Sequence, residues 1–434
     1  METAPAPAWR IARLALPALV VLAAEPIYVL VDTAVVGHLG SVPLAAVAIG
    51  GTVISMAAWL GTILAYGTTG RSARRFGAGD RAAAVAEGMQ ASWLAFTAGV
   101  VVAVGMQVAA DPLARALSGN PEVAGSAALW MRIAALGAPG LLLVAAGNGW
   151  MRGVQDTRRP LRFVLAANLL SAVLCPILVY PAGLGLPGSA VANVVAQTVG
   201  GGCFAVALLR ERVSWRPHPR VIGEQLRMGR DLLIRGGAFQ ISFLSATAVA
   251  ARFGTAAVAG HQIAMQLWFF TALVLDAVAI AAQSLIGAAL GAGDAAGARA
   301  LARRIALAGL ACGVAFAVVI AAAAGILPRL FTSDAAVRDQ AAIAWPWFVA
   351  MQPVAGLVFA LDGVLIGAGD VRYLRDMTVV AALGFFLPTI WAAYVFDWGL
   401  AGIWAGLTLL VVVRCAAVLL RLRSGAWAVV GAFR

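Results

Sequence analysis

Apolar runs of about 20–25 residues recur from end to end of this chain, and that spacing constrains its fold more than any single motif does. One such run suffices for a helix to cross about 30 Å of hydrocarbon. Twelve are legible, near 11–36, 44–67, 82–109, 124–151, 161–182, 187–209, 231–251, 256–289, 297–323, 335–366, 373–396 and 399–422. Gly and Pro punctuate the turns, as in "FGAGD" at 76–80, "GLGLPG" at 183–188 and "LGAGD" at 290–294. The runs do not alternate polar with apolar residues, as the strands of a barrel would. The expected fold is therefore an all-α, polytopic membrane bundle. Only 12% of the residues are charged, against about 25% in soluble domains. The opening residues lack a short apolar core followed by a small-residue cleavage site, so the first span is expected to be retained.

The net charge is +12, and every basic side chain is Arg. On a soluble protein that balance would suggest nucleic acid. Here the arginines sort by loop. One set of alternate loops, with both termini, holds 26 of them, and the other set holds only Arg115, Arg132, Arg252, Arg329 and Arg338. The positive-inside rule makes the first set cytoplasmic, puts both termini inside and requires an even number of spans. The arginines thus set topology in a cell (inner) membrane and meet anionic lipid, and no nucleic-acid partner is expected. The four cysteines, Cys175, Cys203, Cys312 and Cys415, lie apart in apolar runs without metal-ligand spacing.

The chain also repeats itself. Gly40 matches Gly254, "GAGD" at 77–80 matches 291–294, Pro139 matches Pro353, Asp156 matches Asp370 and Gly185 matches Gly399, each pair 214 residues apart. Two six-helix halves follow, 1–209 and 231–434, joined by an Arg-rich cytoplasmic linker at 210–230. Six spans per half give both halves the same orientation. Parallel repeats of this kind are an alternating-access transporter design.

The repeat also serves as an internal control. In the stretch "EPIYVLVDTAVVGHLG", Glu25 aligns with Phe239 and Asp32 with Ala246, and further on Asn193 aligns with Leu407. The fold of the second half does without these polar groups, so they are candidates for function. Counting from Arg13, Glu25 lies about 18 Å and Asp32 about 28 Å along a helix, and the seven-residue spacing puts both on one face. Pro17 and Pro26 are expected to bend this span. An intramembrane carboxylate costs about 2.5–3.5 kcal/mol on insertion scales and marks a cavity or a partner. Desolvation favours the neutral form of a buried carboxyl, which suits a group that loads and releases a proton. Ser171, Cys175 and Asn193 share the depth of Asp32, and Asn148 lies nearer the cytoplasmic end. Glu25 in the first span and Gln240, Gln266 and Asp276 in the second half are secondary candidates. The histidines are scattered, so no nucleophile–base pair or metal set supports an enzyme, and no ring of identical polar residues supports a channel.

"LALPALV", "EPIYVLVDTAVVGHLG", "VAGHQIAMQLW", "AIAAQSLIGAALGAGD" and "DGVLIGAGD", in this order, resemble the multidrug and toxic compound extrusion (MATE) transporters, specifically their DinF-like branch. The resemblance covers nearly the whole chain. It implies a V-shaped pair of helical bundles that exports organic, often cationic or amphipathic, compounds against H+ or Na+. It makes Asp32 the coupling carboxylate and Pro17 the bend-forming proline. It places Asn148, Ser171, Cys175 and Asn193 in a polar network around a substrate cavity, and Tyr28 and Asn168 are expected to join them. The chain departs from the pattern at Cys175, where relatives often carry Asp, and at Phe239 and Gln240, near an expected Glu of the NorM-like branch. The expected function is proton-coupled efflux by a monomer, with no cofactor beyond the coupling ion. Sodium coupling and a lipid-intermediate flippase are the alternatives; flippases of this superfamily often have fourteen spans.

Overall fold

The structure, a computed structural model, describes residues 8–432. Among them most residues are helical and none forms a strand. It forms two compact units. One is Leu16–Arg227, and the other runs from Met228 onward together with the start of the first helix, to Ala15. The first unit contains α1 (Ala8–Gly37, from Leu16), α2 (Ser41–Gly77), α3 (Arg81–Leu117), α4 (Pro121–Ala135), α5 (Ala138–Gly153), α6 (Arg158–Val179) and α7 (Leu186–Arg210). The second contains most of α8 (Pro219–Arg252), then α9 (Thr255–Gly291), α10 (Ala295–Ala322), a short α11 (Leu327–Phe331), α12 (Ala335–Gly367), α13 (Val371–Val379), α14 (Leu387–Val395) and α15 (Gly399–Ser424). A π-helical stretch, Val380–Phe386, joins α13 to α14 just ahead of Pro388. Proline there lacks the N–H that would satisfy the preceding turn, and π turns absorb such interruptions.

Eleven helices, counting 371–395 as one, are long and apolar enough to cross a membrane. The bent pair α4–α5 makes a twelfth if it is counted as one span. The fourth run, 124–151, is thus not one straight helix: α4 and α5 meet at 50°. Proline is not the whole reason, because Pro353, the repeat partner of Pro139, sits inside the continuous α12. The difference lies two residues earlier. Gly137, where the second half has Met351, weakens the helix by about 1 kcal/mol relative to a good helix former. A Cβ at Gly137 would stand 3.3 Å from the Cα of Val194 on α7, so glycine also lets the bend pack closely.

The segment 210–230 is likewise less of a linker than its charge suggests. Only residues 211–218 lie outside helices, and 219–230 form the first turns of α8. This stretch is also not simply solvated. Gln225 is buried and donates to Glu87 of α3, at 3.0 Å to the backbone carbonyl. Arg71 bridges Glu87 and Glu224, each at 2.8 Å. Gln90 donates to the Arg216 carbonyl and accepts from the His218 N–H.

The 214-residue repeat is visible inside each unit separately. α2 and α9 have the same length, 37 residues, and begin and end in register. The turn after each uses a left-handed glycine, Gly79 at φ +85° and Gly293 at φ +81°. Asp80 and Asp294 then cap the next helix by accepting from the N–H three residues on. Gly99 of α3 lies against the backbone of Pro139, and Gly313 of α10 against Gln352 and Pro353, so the same close crossing occurs in both units.

Candidate functional site

The first unit encloses a cavity of about 510 Å³, within the range of small-molecule sites (about 300–1,000 Å³). Six helices line it. α1 supplies Glu25, Tyr28 and Asp32, which the helical repeat brings to one face. α2 adds Thr52, Ser55, Thr62 and Tyr66, α5 adds Asn148 and Arg152, α6 adds Asn168, and α7 adds Asn193 and Gln197. Trp130 of α4 contributes an aromatic wall whose Nε1 donates to Ser189 Oγ at 2.9 Å.

Asp32 lines this site as a buried carboxylate, with only 4% of its surface accessible. The Cys175 thiol, wholly buried on α6, donates to its Oδ1 at 3.1 Å. Asn193 donates to the Tyr28 hydroxyl at 3.0 Å, which ties α7 to α1 one turn from Asp32. Glu25 is exposed on the same wall. Asn148 donates to the Val144 carbonyl one turn back, at 3.0 Å, and its buried Oδ1 accepts from no described residue.

The structure thus brings Glu25, Tyr28, Asp32, Asn148, Asn168 and Asn193 to one cavity. Ser171 and Cys175 are buried behind its wall and do not line it. Pro17 and Pro26 both lie inside the unbroken α1. The secondary candidates of the second half do not gather. Gln240 and Gln266 are exposed, Asp276 is half-buried, and none of the three lines that unit's pocket. The α2 hydroxyls and Gln197 were missed by sequence reasoning. The repeat carried the signal for some of them, since Ser55 aligns with Phe269 and Gln197 with Val411.

A polar cluster in the second unit was also missed. Asp362 of α12 accepts from both Arg235 of α8 and Arg414 of α15. Both arginines fall in the larger of the two sets when arginines are counted by loop. Arg414, however, stands well inside the last apolar run and is 5% exposed. An arginine at such a position is itself the signal.

Sequence comparison agrees with this architecture. The MatE family model matches the chain twice, over residues 17–177 and 237–395. Protein DETOXIFICATION 44, chloroplastic, of Arabidopsis thaliana is 34% identical over 95% of this chain and 82% of that protein. DNA damage-inducible protein F of Escherichia coli (strain K12) is 30% identical over 95% of this chain and 92% of that protein. Among solved structures, a MATE protein in its bent conformation superposes with a TM-score of 0.87 at 24% identity, covering 96% of this chain and 94% of that one. A Vibrio cholerae MATE transporter in the bent form gives 0.87 at 22% identity, covering 96% of each chain. These structural likenesses concern the fold. The two matched halves and the relatives aligned over nearly the full length carry the identity: the chain is a multi-pass membrane protein of the MATE transporter family.

Proposed function

We propose that this protein exports organic cationic or amphipathic compounds by proton antiport, with Asp32 as the coupling group, both termini in the cytoplasm and the monomer as the working unit. One observation carries the reading. A single buried carboxylate lines a cavity of substrate size, and its repeat position in the other unit is Ala246. Asp32 alternates between charged and neutral forms, and each form favours a different arrangement of α1, whose Pro17 and Pro26 weaken its hydrogen-bond ladder. Export follows when the two arrangements bind substrate with unequal affinity. Glu25 and Tyr66 on the wall suit a cationic or aromatic guest.

The proton is favoured over sodium by the partner of Asp32. Hard cations take oxygen ligands, and here a thiol occupies the hydrogen-bonding position on the carboxylate. The test is transport by the purified protein in proteoliposomes, with pH and sodium gradients imposed separately. Export driven by the pH gradient alone supports proton coupling. Full export under a sodium gradient at clamped pH overturns it.

A further inference from the structure

The Arg235–Asp362–Arg414 cluster has no part in the coupling reading, which concerns the other unit. Two guanidiniums share one carboxylate, so the group carries one net positive charge. It is withdrawn from solvent, with side-chain accessibilities of 12% for Arg235, 8% for Asp362 and 6% for Arg414. Both guanidiniums lie over the face of Phe239, at 5.5 Å from the Arg235 Cζ and 4.7 Å from the Arg414 Cζ. Asp231, one turn before Arg235, is no second counter-charge, because it is engaged by Arg375 at 2.7 Å and Arg230 at 3.0 Å. Asp362 is the only carboxylate paired with either guanidinium among the described residues.

Arg414 also faces a pocket of about 20 Å³, in which it is the only charged lining residue among the described residues. The other walls include Phe239, Phe243, Trp268, Met265 and Met351. This pocket is the repeat image of the large cavity. Phe239 stands where the first unit has Glu25, Met265 where it has Gly51, Leu407 where it has Asn193, and Arg414 where it has Gly200. Bulk has closed the space down to roughly one small particle, given that a water needs about 10–15 Å³ by this measure. The replacements have also reversed its charge, from acidic to basic.

We propose that this pocket binds one small monovalent anionic group, held by Arg414 and compensating the unbalanced charge of the Arg235–Asp362–Arg414 cluster. A buried charge left without a partner is strongly unfavourable, and an anion at Arg414 removes that imbalance. The apolar and aromatic walls favour a weakly hydrated species over a strongly hydrated one, because less hydration is lost on entry. A free halide and the carboxylate end of an organic anion share this chemistry. The size of the closed pocket suits the halide directly, and the flexible Met265 and Met351 would have to move for the organic body.

The test uses the full-length protein in detergent at constant ionic strength, with gluconate replaced stepwise by bromide. The wild-type melting temperature should rise and saturate. Arg414→Gln leaves Arg235 and Asp362 as a balanced pair, so it should fold and lose the bromide response. Asp362→Asn leaves two positive charges together, so it should be less stable in gluconate and respond more steeply to bromide. Benzoate that replaces bromide at lower concentration identifies an organic anion as the ligand, and a response confined to halides identifies the ion itself. In crystals soaked with bromide, an anomalous peak should fall within hydrogen-bond reach of the Arg414 guanidinium. A wild-type melting temperature indifferent to bromide, or a bromide response undiminished in Arg414→Gln, would overturn the proposal.

Discussion

The Asp32–Cys175 contact concentrates the coupling question in one hydrogen bond. Asp32→Asn preserves size and most hydrogen bonding but cannot carry a charge, so the variant is expected to insert and fold yet show no gradient-driven export. Export at the wild-type rate with wild-type pH dependence would make Asp32 structural. Glu25→Gln should reduce export less, because Glu25 is exposed on the wall. Cys175→Ser keeps a donor to Oδ1 and should transport well. Cys175→Ala loses one hydrogen bond from a weak thiol donor, about 0.5–1.5 kcal/mol, and initial export rates should fall severalfold if that bond orders the site. Asp32 was legible in the sequence because an acid in an apolar run has few explanations and the second half lacks it. The thiol at Cys175 could be placed at the right depth but not in contact, since contact depends on how α6 rotates against α1. Arg414 was misread because a rule that counts arginines by loop takes no account of one inside a span.

At the scale of elements, helix number and repeat register followed from apolar spacing and turn glycines, because both are local properties of the chain. The α4–α5 bend and the helical start of α8 did not, because each depends on what a neighbouring helix offers. Residues 219–227 form helix in a charged stretch because α2 supplies Arg71 as the partner of Glu224 and α3 supplies Glu87 as the partner of Gln225. Glu87 is the centre of this docking, 2% exposed and bridged to Arg71 and Arg75. Glu87→Gln removes the buried carboxylate that two half-buried guanidiniums share and should cost about 3 kcal/mol. Glu224→Gln, at a half-exposed site, should cost no more than about 1 kcal/mol. Thermal unfolding in detergent checks the contrast, and limited proteolysis at 211–218 should quicken in the Glu87 variant only. Equal stability losses for the two would show that the segment is not anchored through Glu87.

At the scale of the whole molecule, the duplicated plan lets one half act as a control for the other. Both units are built on the same register, yet one keeps a cavity of about 510 Å³ and the other a pocket of about 20 Å³. The difference reduces to a few positions, among them Gly51 against Met265 and Asn193 against Leu407. Replacing residues in the first unit by their repeat counterparts is therefore a directed way to close its cavity. No atom lies within 4 Å of a Cβ built on Gly51, so Gly51→Met has room to enter without the overpacking that typically costs about 1–3 kcal/mol. Asn193→Leu removes the donor to Tyr28 and adds apolar bulk. The double variant should unfold within a few degrees of the wild type, yet bind and export substrate poorly. The reciprocal change, Met265→Gly with Leu407→Asn, should destabilise the second unit by emptying a packed core and leave proton coupling in place, because Asp32 is untouched. Substrate binding and pH-driven export, measured on both double variants, distinguish the units. If closing the first cavity leaves export intact, the substrate path does not run through it, and the carboxylate in its wall serves a proton that moves without a guest beside it.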